Sequence, residues 1–192
     1  PELVFMNLDA SFSKTEPDEE IQDLLKFSVG LNLGLHFLSS AITYDPLVSD
    51  VDAGTASKVV LLDSLISNID RTAKNTNLLN WNKELWIIDN GASLYFHHNW
   101  PTWENHLIRT FPLIKDHVLL PKAACLSKAS EEIKQVINTN VITEIVSNIP
   151  EDWLLSYGDV LRPEEIRAAY ISFLTTKLSM LDVLVKEAED AR

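Results

Sequence analysis

Two short apolar segments joined by two turn-forming residues constrain the fold of this chain most strongly. NLLNW and ELWII are separated only by Asn82 and Lys83, and this spacing and composition predict a tight β-hairpin. Ahead of the hairpin, apolar residues recur at helical spacing over residues 56–66. A helix therefore leads into the polar stretch SNIDRTAKN, and the hairpin that follows returns the chain beside it.

Strand patterns dominate the first part of the chain, and helical patterns dominate the second. ELVFMNL predicts a buried strand, Thr15 the cap of a short helix, and ASLYFHH an extended segment. Helices are predicted over residues 131–136 and 140–149, and one continuous last helix begins at Pro163. One face of this last helix carries Ile166, Tyr170, Phe173, Leu174, Leu178, Leu181 and Val185. The predicted fold class is α+β.

The composition limits the classes of function. The chain has 192 residues, 46% of them hydrophobic, which suffices for the core of one domain or of two tightly joined lobes. A formal net charge of -12 argues against nucleic-acid binding and against association with an acidic membrane surface. The single cysteine, Cys125, excludes an internal disulfide and a multi-cysteine zinc site. The single cysteine also fits a reducing cytoplasm, which is the expected location, and no apolar run reaches membrane-spanning length.

Three polar side chains suggest phosphoryl transfer. Asp70 and Asn75 lie on the polar stretch, and Asp89 follows the second strand of the predicted hairpin. Phosphoryl transfer needs an acid that orients or deprotonates the attacking hydroxyl, and oxygen ligands that hold Mg²⁺ against nucleotide phosphates. Asp70 is then the candidate base, and Asn75 and Asp89 are candidate metal ligands. By spacing alone, ordinary polar turn residues explain the pattern equally well.

At these residues the chain resembles a known family. DRTAKN followed by IIDNG resembles the catalytic and metal-binding motifs of the protein-kinase-like superfamily, closest to its HipA-like and phosphatidylinositol-kinase-like branches. EIQDLLKFSVGLNLGLHFL upstream and PLIKDHVLLP downstream are also similar to bacterial HipA-like kinase domains. The resemblance implies a kinase that uses ATP and Mg²⁺. It makes Asp70 the catalytic acid, Asn75 and Asp89 the magnesium ligands, and Arg71 a partner that orders the loop.

The resemblance also implies a domain organisation. Residues 1–192 are expected to form one protein-kinase-like domain, with 1–40 as a remnant of the small lobe with its linker and 41–192 as a mostly helical large lobe. The family's glycine-rich phosphate loop and strand lysine cannot be placed in this sequence, and we expect them upstream of it. Thr72 stands where related enzymes commonly have His, and Asn90 where others have His or an aromatic residue.

Three functions stay open at this point. The first is ATP-dependent phosphorylation of a protein Ser or Thr, and the second is a catalytically weak kinase-fold module, a pseudokinase, that contacts a partner protein. The third is phosphorylation of a lipid or another small molecule. The sequence identifies no acceptor, because a fold does not choose its substrate.

Several further side chains receive structural interpretations. His97 and His98 are expected to point to opposite faces of an extended segment, so that they do not chelate one ion. Asp63 is expected to bond the catalytic loop, and Gly91 to provide the backbone freedom for a sharp turn after Asp89. Core packing is the expected role of Trp81, Trp86, Trp100 and Trp103.

Overall fold

The chain divides into two compact units. The computed structural model describes residues 2–155 and 161–192. An N-terminal unit comprises Pro1–Ser40 and a C-terminal unit comprises Ala41–Arg192. Each has its own sheet, with two strands in the first and three in the second. The fold is α+β.

The N-terminal unit is an antiparallel ribbon with one helix between its strands. Strand β1 (Leu3–Leu8) pairs with β2 (Gly30–Leu35), and α1 (Glu19–Phe27) lies between them in sequence. The prediction that the first strand is buried is wrong. Leu3 and Phe5 are each 57% exposed, because a two-stranded ribbon has no second layer within this unit to cover its faces.

The cap of α1 also differs from the prediction. Asp18 is the N-cap, and its carboxylate accepts hydrogen bonds from the backbone N–H groups of Glu20 and Ile21. Thr15 instead ends a short 3-10 helix, Phe12–Thr15. Asp and Thr are both good caps, and here the aspartate directly before the first helical residue takes the position.

The C-terminal unit is mostly helical. Its helices are α2 (Ala53–Ile66), α3 (Leu126–Val136), α4 (Thr139–Ser147), α5 (Glu151–Leu154), α6 (Pro163–Ser179) and α7 (Leu181–Ala191). Its antiparallel sheet has the order β3 (Ile42–Thr43), β4 (Leu78–Trp81) and β5 (Glu84–Ile87). The predicted hairpin is confirmed: Trp81 pairs with Glu84. The turn residues Asn82 and Lys83 have φ of 50° and 67°, the left-handed pair of a type I′ turn.

Two hydrophobic clusters hold this unit together, and they explain why the last helix is broken. The first cluster joins α2, α3 and α7, and the second joins α4, α6 and the 3-10 segments after β5. The prediction of one continuous last helix is wrong, because α6 ends at Ser179 and α7 starts at Leu181 after a 63° bend. Phe173 packs in the second cluster and Leu181 packs in the first. A straight helix would place its apolar side chains in only one of the two clusters.

No single helix within residues 2–155 and 161–192 is long and apolar enough to cross a membrane. Among the described residues, only α6 and α7 taken together have the length and apolar composition of a membrane span. Both helices contribute side chains to the two hydrophobic clusters.

The segment after β5 is helical, which corrects the expected extended conformation. Tyr95–His98 forms a 3-10 helix, because the backbone N–H of His97 reaches the carbonyl of Leu94. The two histidine rings therefore meet edge to face at 4.4 Å instead of pointing to opposite sides. Of the tryptophans, Trp100 is buried in the second cluster.

Candidate active site

A buried ion pair anchors the polar loop between α2 and β4. Asp63, in the last turns of α2, accepts a hydrogen bond from Arg71 Nε at 2.5 Å, and both side chains are fully buried. His117 Nε2 lies 2.9 Å from the same carboxylate oxygen, Asp63 Oδ2. The backbone N–H of Leu119 donates to His117 Nδ1, so the ring proton is on Nε2 and donates to Asp63. The expectation that Asp63 bonds the loop is confirmed.

Arg71 connects this loop to the segment that carries Asp89. Its guanidinium donates to the carbonyl oxygens of Asn77 at 2.5 Å and Ile88 at 3.2 Å. A third bond, at 2.6 Å, reaches the side-chain oxygen of Asn90. Arg71 thus holds the residues on both sides of Asp89 next to the loop.

Asp70 is half-buried and held by three asparagines. Asn75 Nδ2 donates to Asp70 Oδ2 at 2.8 Å, and Asn77 Nδ2 donates to the Asp70 carbonyl oxygen at 2.8 Å. On the other side, Asn68 Oδ1 accepts the Asp70 backbone N–H at 3.2 Å. The structure therefore brings Asp70 and Asn75 into direct contact and fixes the direction of the Asp70 carboxylate.

Asp89 lies beside this loop with its carboxylate exposed. Among the described residues it joins the loop through the Arg71 contacts at its two neighbours and not through a bond of its own to Asp70 or Asn75. Its φ of 47° makes the turn that was expected of Gly91. Gly91 has another use: a Cβ on it would lie 3.2 Å from Asp89 Oδ1, which accepts the Gly91 backbone N–H at 3.1 Å.

An open cleft borders the loop on the side that follows Asp70. Its volume is about 830 Å³. One wall is residues 43–47 and the other is residues 73–79, with Ile88 between them. Tyr44 ties the walls together, because its N–H donates to the Leu78 carbonyl and its carbonyl accepts from Thr76 Oγ1. We refer to this space as the loop cleft. Asn75 and Lys74 are exposed on its wall.

The electrostatics of the anchor favour a charged Asp63. Burial by itself raises the pKa of Asp63, but the hydrogen bonds from His117 and Arg71 and the positive charge of Arg71 lower it more, so the net pKa lies below its ordinary value. An ionised Asp63 keeps Arg71 neutralised inside the protein. The orientation of the loop therefore depends on a buried charge pair.

Reasoning from the sequence missed two residues of this site. Asn77 donates a hydrogen bond to the Asp70 carbonyl oxygen and has a left-handed φ of 46°. The only feature of the local sequence that points to this role is that a second asparagine lies so close to Asn75. His117 is separated from Asp63 by 54 positions, and no spacing in the sequence links the two residues. A short antiparallel bridge between Thr72 and His117 places that histidine under the loop.

Within the part of the chain that the structure describes, no three His, Cys, Asp or Glu side chains are grouped so that they could hold a metal ion.

Comparison with known proteins identifies the family. The sequence profile of HipA-like kinases matches residues 8–180, which covers both units and all the site residues above. Searches of curated proteins and of solved structures return no significant match. Because the profile spans most of the sequence, the chain belongs to the HipA-like kinase family.

Proposed function

We propose that this protein transfers the γ-phosphoryl group of ATP to a hydroxyl group, with a protein Ser or Thr as the acceptor. One observation carries the proposal: the Asp70 carboxylate is held by Asn75 on a loop that a buried Arg71 ties to both neighbours of Asp89. A polar turn does not need a buried arginine. Arg71 donates to five backbone and side-chain oxygen atoms, which lie on three segments of the chain.

In the proposed reaction, Asp70 receives the proton of the acceptor hydroxyl. The hydroxyl oxygen forms a bond to the γ-phosphorus, and the bond from that phosphorus to the β,γ-bridging oxygen breaks, so that ADP leaves. The bond that Asn75 donates to Asp70 Oδ2 keeps the other oxygen, Oδ1, free to accept the proton. Lys74, exposed on the loop cleft, supplies a positive charge near the phosphates that we place there.

The side chains present suit Mg²⁺, a cation that prefers oxygen ligands. Asn75 uses its amide nitrogen on Asp70, which leaves its amide oxygen available as a ligand. The exposed carboxylate of Asp89 supplies the second ligand. When bound, Mg²⁺ offsets the negative charge of the nucleotide phosphates and holds them in place. We assign the large lobe to residues 41–192 and the remnant of the small lobe to residues 1–40.

The test is transfer of phosphate in the presence of Mg²⁺ and ATP. We expect the wild-type chain, alone or with a generic protein acceptor, to release ADP and gain the mass of a phosphoryl group, and Asp70→Ala to lose both. Removal of a general base typically lowers the rate by about 10²–10⁴-fold. Asp190→Ala, an exposed aspartate on α7, is the matched control and should keep full activity.

A second arm separates binding from chemistry. Asp89→Ala should bind ATP equally well with and without Mg²⁺, whereas the wild type should bind more tightly with it, as measured by calorimetry. If Asp70→Ala and the wild type both lack transfer while Mg²⁺-dependent ATP binding persists, the binding module replaces the kinase as the function. Unchanged Mg²⁺ dependence in Asp89→Ala rules out the metal assignment.

A further inference from the structure

Asp70 separates two openings on the C-terminal unit. The residues that follow it line the loop cleft, whereas Ser67 and Ile69, which precede it, line a second cavity of about 320 Å³. We call this second space the basic cavity, and define it by Ser67, Ile69, His106, Arg109, Phe173 and Lys177. Its volume is at the lower end of the range for ligand pockets, roughly 300–1,000 Å³, and suits one or two side chains.

Two cationic side chains, Arg109 and Lys177, and one histidine, His106, line this cavity. His106 ends the 3-10 helix Trp100–His106, Arg109 lies in the loop that follows it, and Lys177 comes from the last turn of α6. The acid that acts on Lys177 is Glu187 of α7, whose carboxylate already accepts the backbone N–H of Phe111 at 2.6 Å. Burial lowers the pKa of His106, and the charges of Arg109 and Lys177 lower it further, so the positive charge comes from Arg109 and Lys177. These two charges exceed the single negative charge of Glu187, although the protein as a whole carries -12.

Lys177 is unusual for its burial. Its side chain is 1% exposed, and its ammonium lies 5.1 Å from the centre of the Phe173 ring and donates to the carbonyl oxygen of Arg109. An ammonium has three donors, so this one keeps capacity for an acceptor that enters the cavity. Burial lowers the pKa of Lys177, with Arg109 adding to the effect and Glu187 opposing it. An anionic group in the cavity would oppose that cost of burial.

The margin of the cavity is apolar and open to solvent. Ile69, Tyr95 and Leu113 are 39%, 56% and 50% exposed. An exposed group of apolar side chains with polar residues around it often marks a binding site, whereas single exposed apolar side chains do not. The cavity therefore suits a ligand that carries an apolar group next to an anionic group.

From these contacts we propose that the basic cavity binds the acceptor polypeptide through an apolar side chain and a neighbouring Asp or Glu close to its Ser or Thr. The inference rests on the proposed phosphotransfer, because it takes the loop cleft for the nucleotide and leaves the other side of Asp70 for the acceptor. The apolar side chain packs against Ile69 and Phe173. The carboxylate meets Lys177 and Arg109, and the adjacent hydroxyl reaches Asp70.

The test measures peptide binding without nucleotide, so that it does not depend on catalysis. Short fluorescein-labelled peptides with a central Ser are varied at each flanking position between Asp and Lys and between Phe and Ala, and fluorescence anisotropy gives Kd on the full chain. We expect peptides with Phe and Asp near the Ser to bind about tenfold more tightly than their Lys or Ala counterparts, the effect of one charge-assisted contact.

Variants then locate the binding site. Arg109→Gln changes an exposed residue and Lys177→Met replaces a buried one by an uncharged chain of similar length, and each should remove the preference for Asp. Lys128→Met removes the same charge from an exposed position on α3 and should leave the preference intact. Asp89→Ala should also bind the peptides normally, even if it fails in phosphotransfer.

Three outcomes would overturn the inference. The wild type does not distinguish Asp from Lys peptides, or the preference survives in both Arg109→Gln and Lys177→Met. Alternatively, free 3-phenylpropionate competes as well as the best peptide, which makes the cavity a site for a small carboxylic acid. Loss of transfer in Asp70→Ala together with any of these results leaves the proposed function standing and removes only the acceptor site.

Discussion

At the scale of single residues, the buried Arg71 decides whether the loop has one conformation. It contacts Asp63, Asn77, Ile88 and Asn90 from a position that is 1% exposed. Arg71→Met should lower the free energy of unfolding by about 3–5 kcal/mol, because it leaves Asp63 charged and buried without its main partner. Urea unfolding followed by circular dichroism measures this.

The control for Arg71 is Arg162→Met. Arg162 pairs with Glu164 and Glu165 on the surface, where an ion pair adds little, so this variant should unfold almost like the wild type. Equal stability of the Arg71→Met and Arg162→Met variants would show that the buried pair is not needed for the loop.

The buried pair of Asp63 and Arg71 predicts that the free energy of unfolding depends on pH in the acidic range. The pKa of Asp63 in the folded protein is below its ordinary value of 3.8, so the folded state releases this proton more readily than the unfolded state does. Its stabilising contribution is complete above that value and is lost as the pH falls through the lower folded pKa. The difference in unfolding free energy between the wild type and Asp63→Asn should therefore stay constant above about pH 5 and shrink as the pH falls below about 4. A constant difference, or equal shrinkage for exposed Asp190→Asn, would contradict the assignment.

At the scale of elements, the hairpin contains a residue that its turn does not favour. Lys83 has φ of 67°, and a left-handed conformation costs a residue with a Cβ about 1–2 kcal/mol. Lys83→Gly should therefore raise the free energy of unfolding by about 1 kcal/mol, because type I′ turns prefer Asn-Gly. Glu131→Gly, at an exposed position in the middle of α3, should lower it by about 1 kcal/mol, since glycine weakens a helix interior. The same sign for both variants in urea unfolding would refute the turn assignment.

Periodicity explains which elements could be predicted. The hairpin and α2 follow from local spacing, and both are present. The break at Met180 could not be predicted, because the apolar positions continue through it at helical spacing and only the two separate clusters require the bend. Within ASLYFHH, Tyr95–His98 forms a 3-10 helix and Phe96 is buried in the second cluster, a contact that the local sequence does not indicate.

At the scale of the whole molecule, the two units differ in how much core they contain. Every buried hydrophobic residue of the described chain lies in the C-terminal unit, and the N-terminal unit buries only Ser13. Residues 41–192 expressed alone should therefore unfold cooperatively with a Tm close to that of the full chain. A peptide of residues 1–40 should be unfolded by circular dichroism, because chains below roughly 40 residues rarely build a sufficient core. Failure of the 41–192 fragment to fold would mean that its core is incomplete.

The sequence by itself determined the local elements and the identity of the candidate residues. Helix and strand periods depend on neighbours along the chain, and Asp70, Arg71, Asn75 and Asp89 lie within one short stretch, so a motif can carry them. Tertiary structure alone decided which groups support that motif. His117 meets Asp63 across 54 positions, and Lys177 faces Ser67 and Ile69 from a helix far along the chain. Such contacts depend on how helices pack around two separate clusters, and no local pattern in the sequence records that packing.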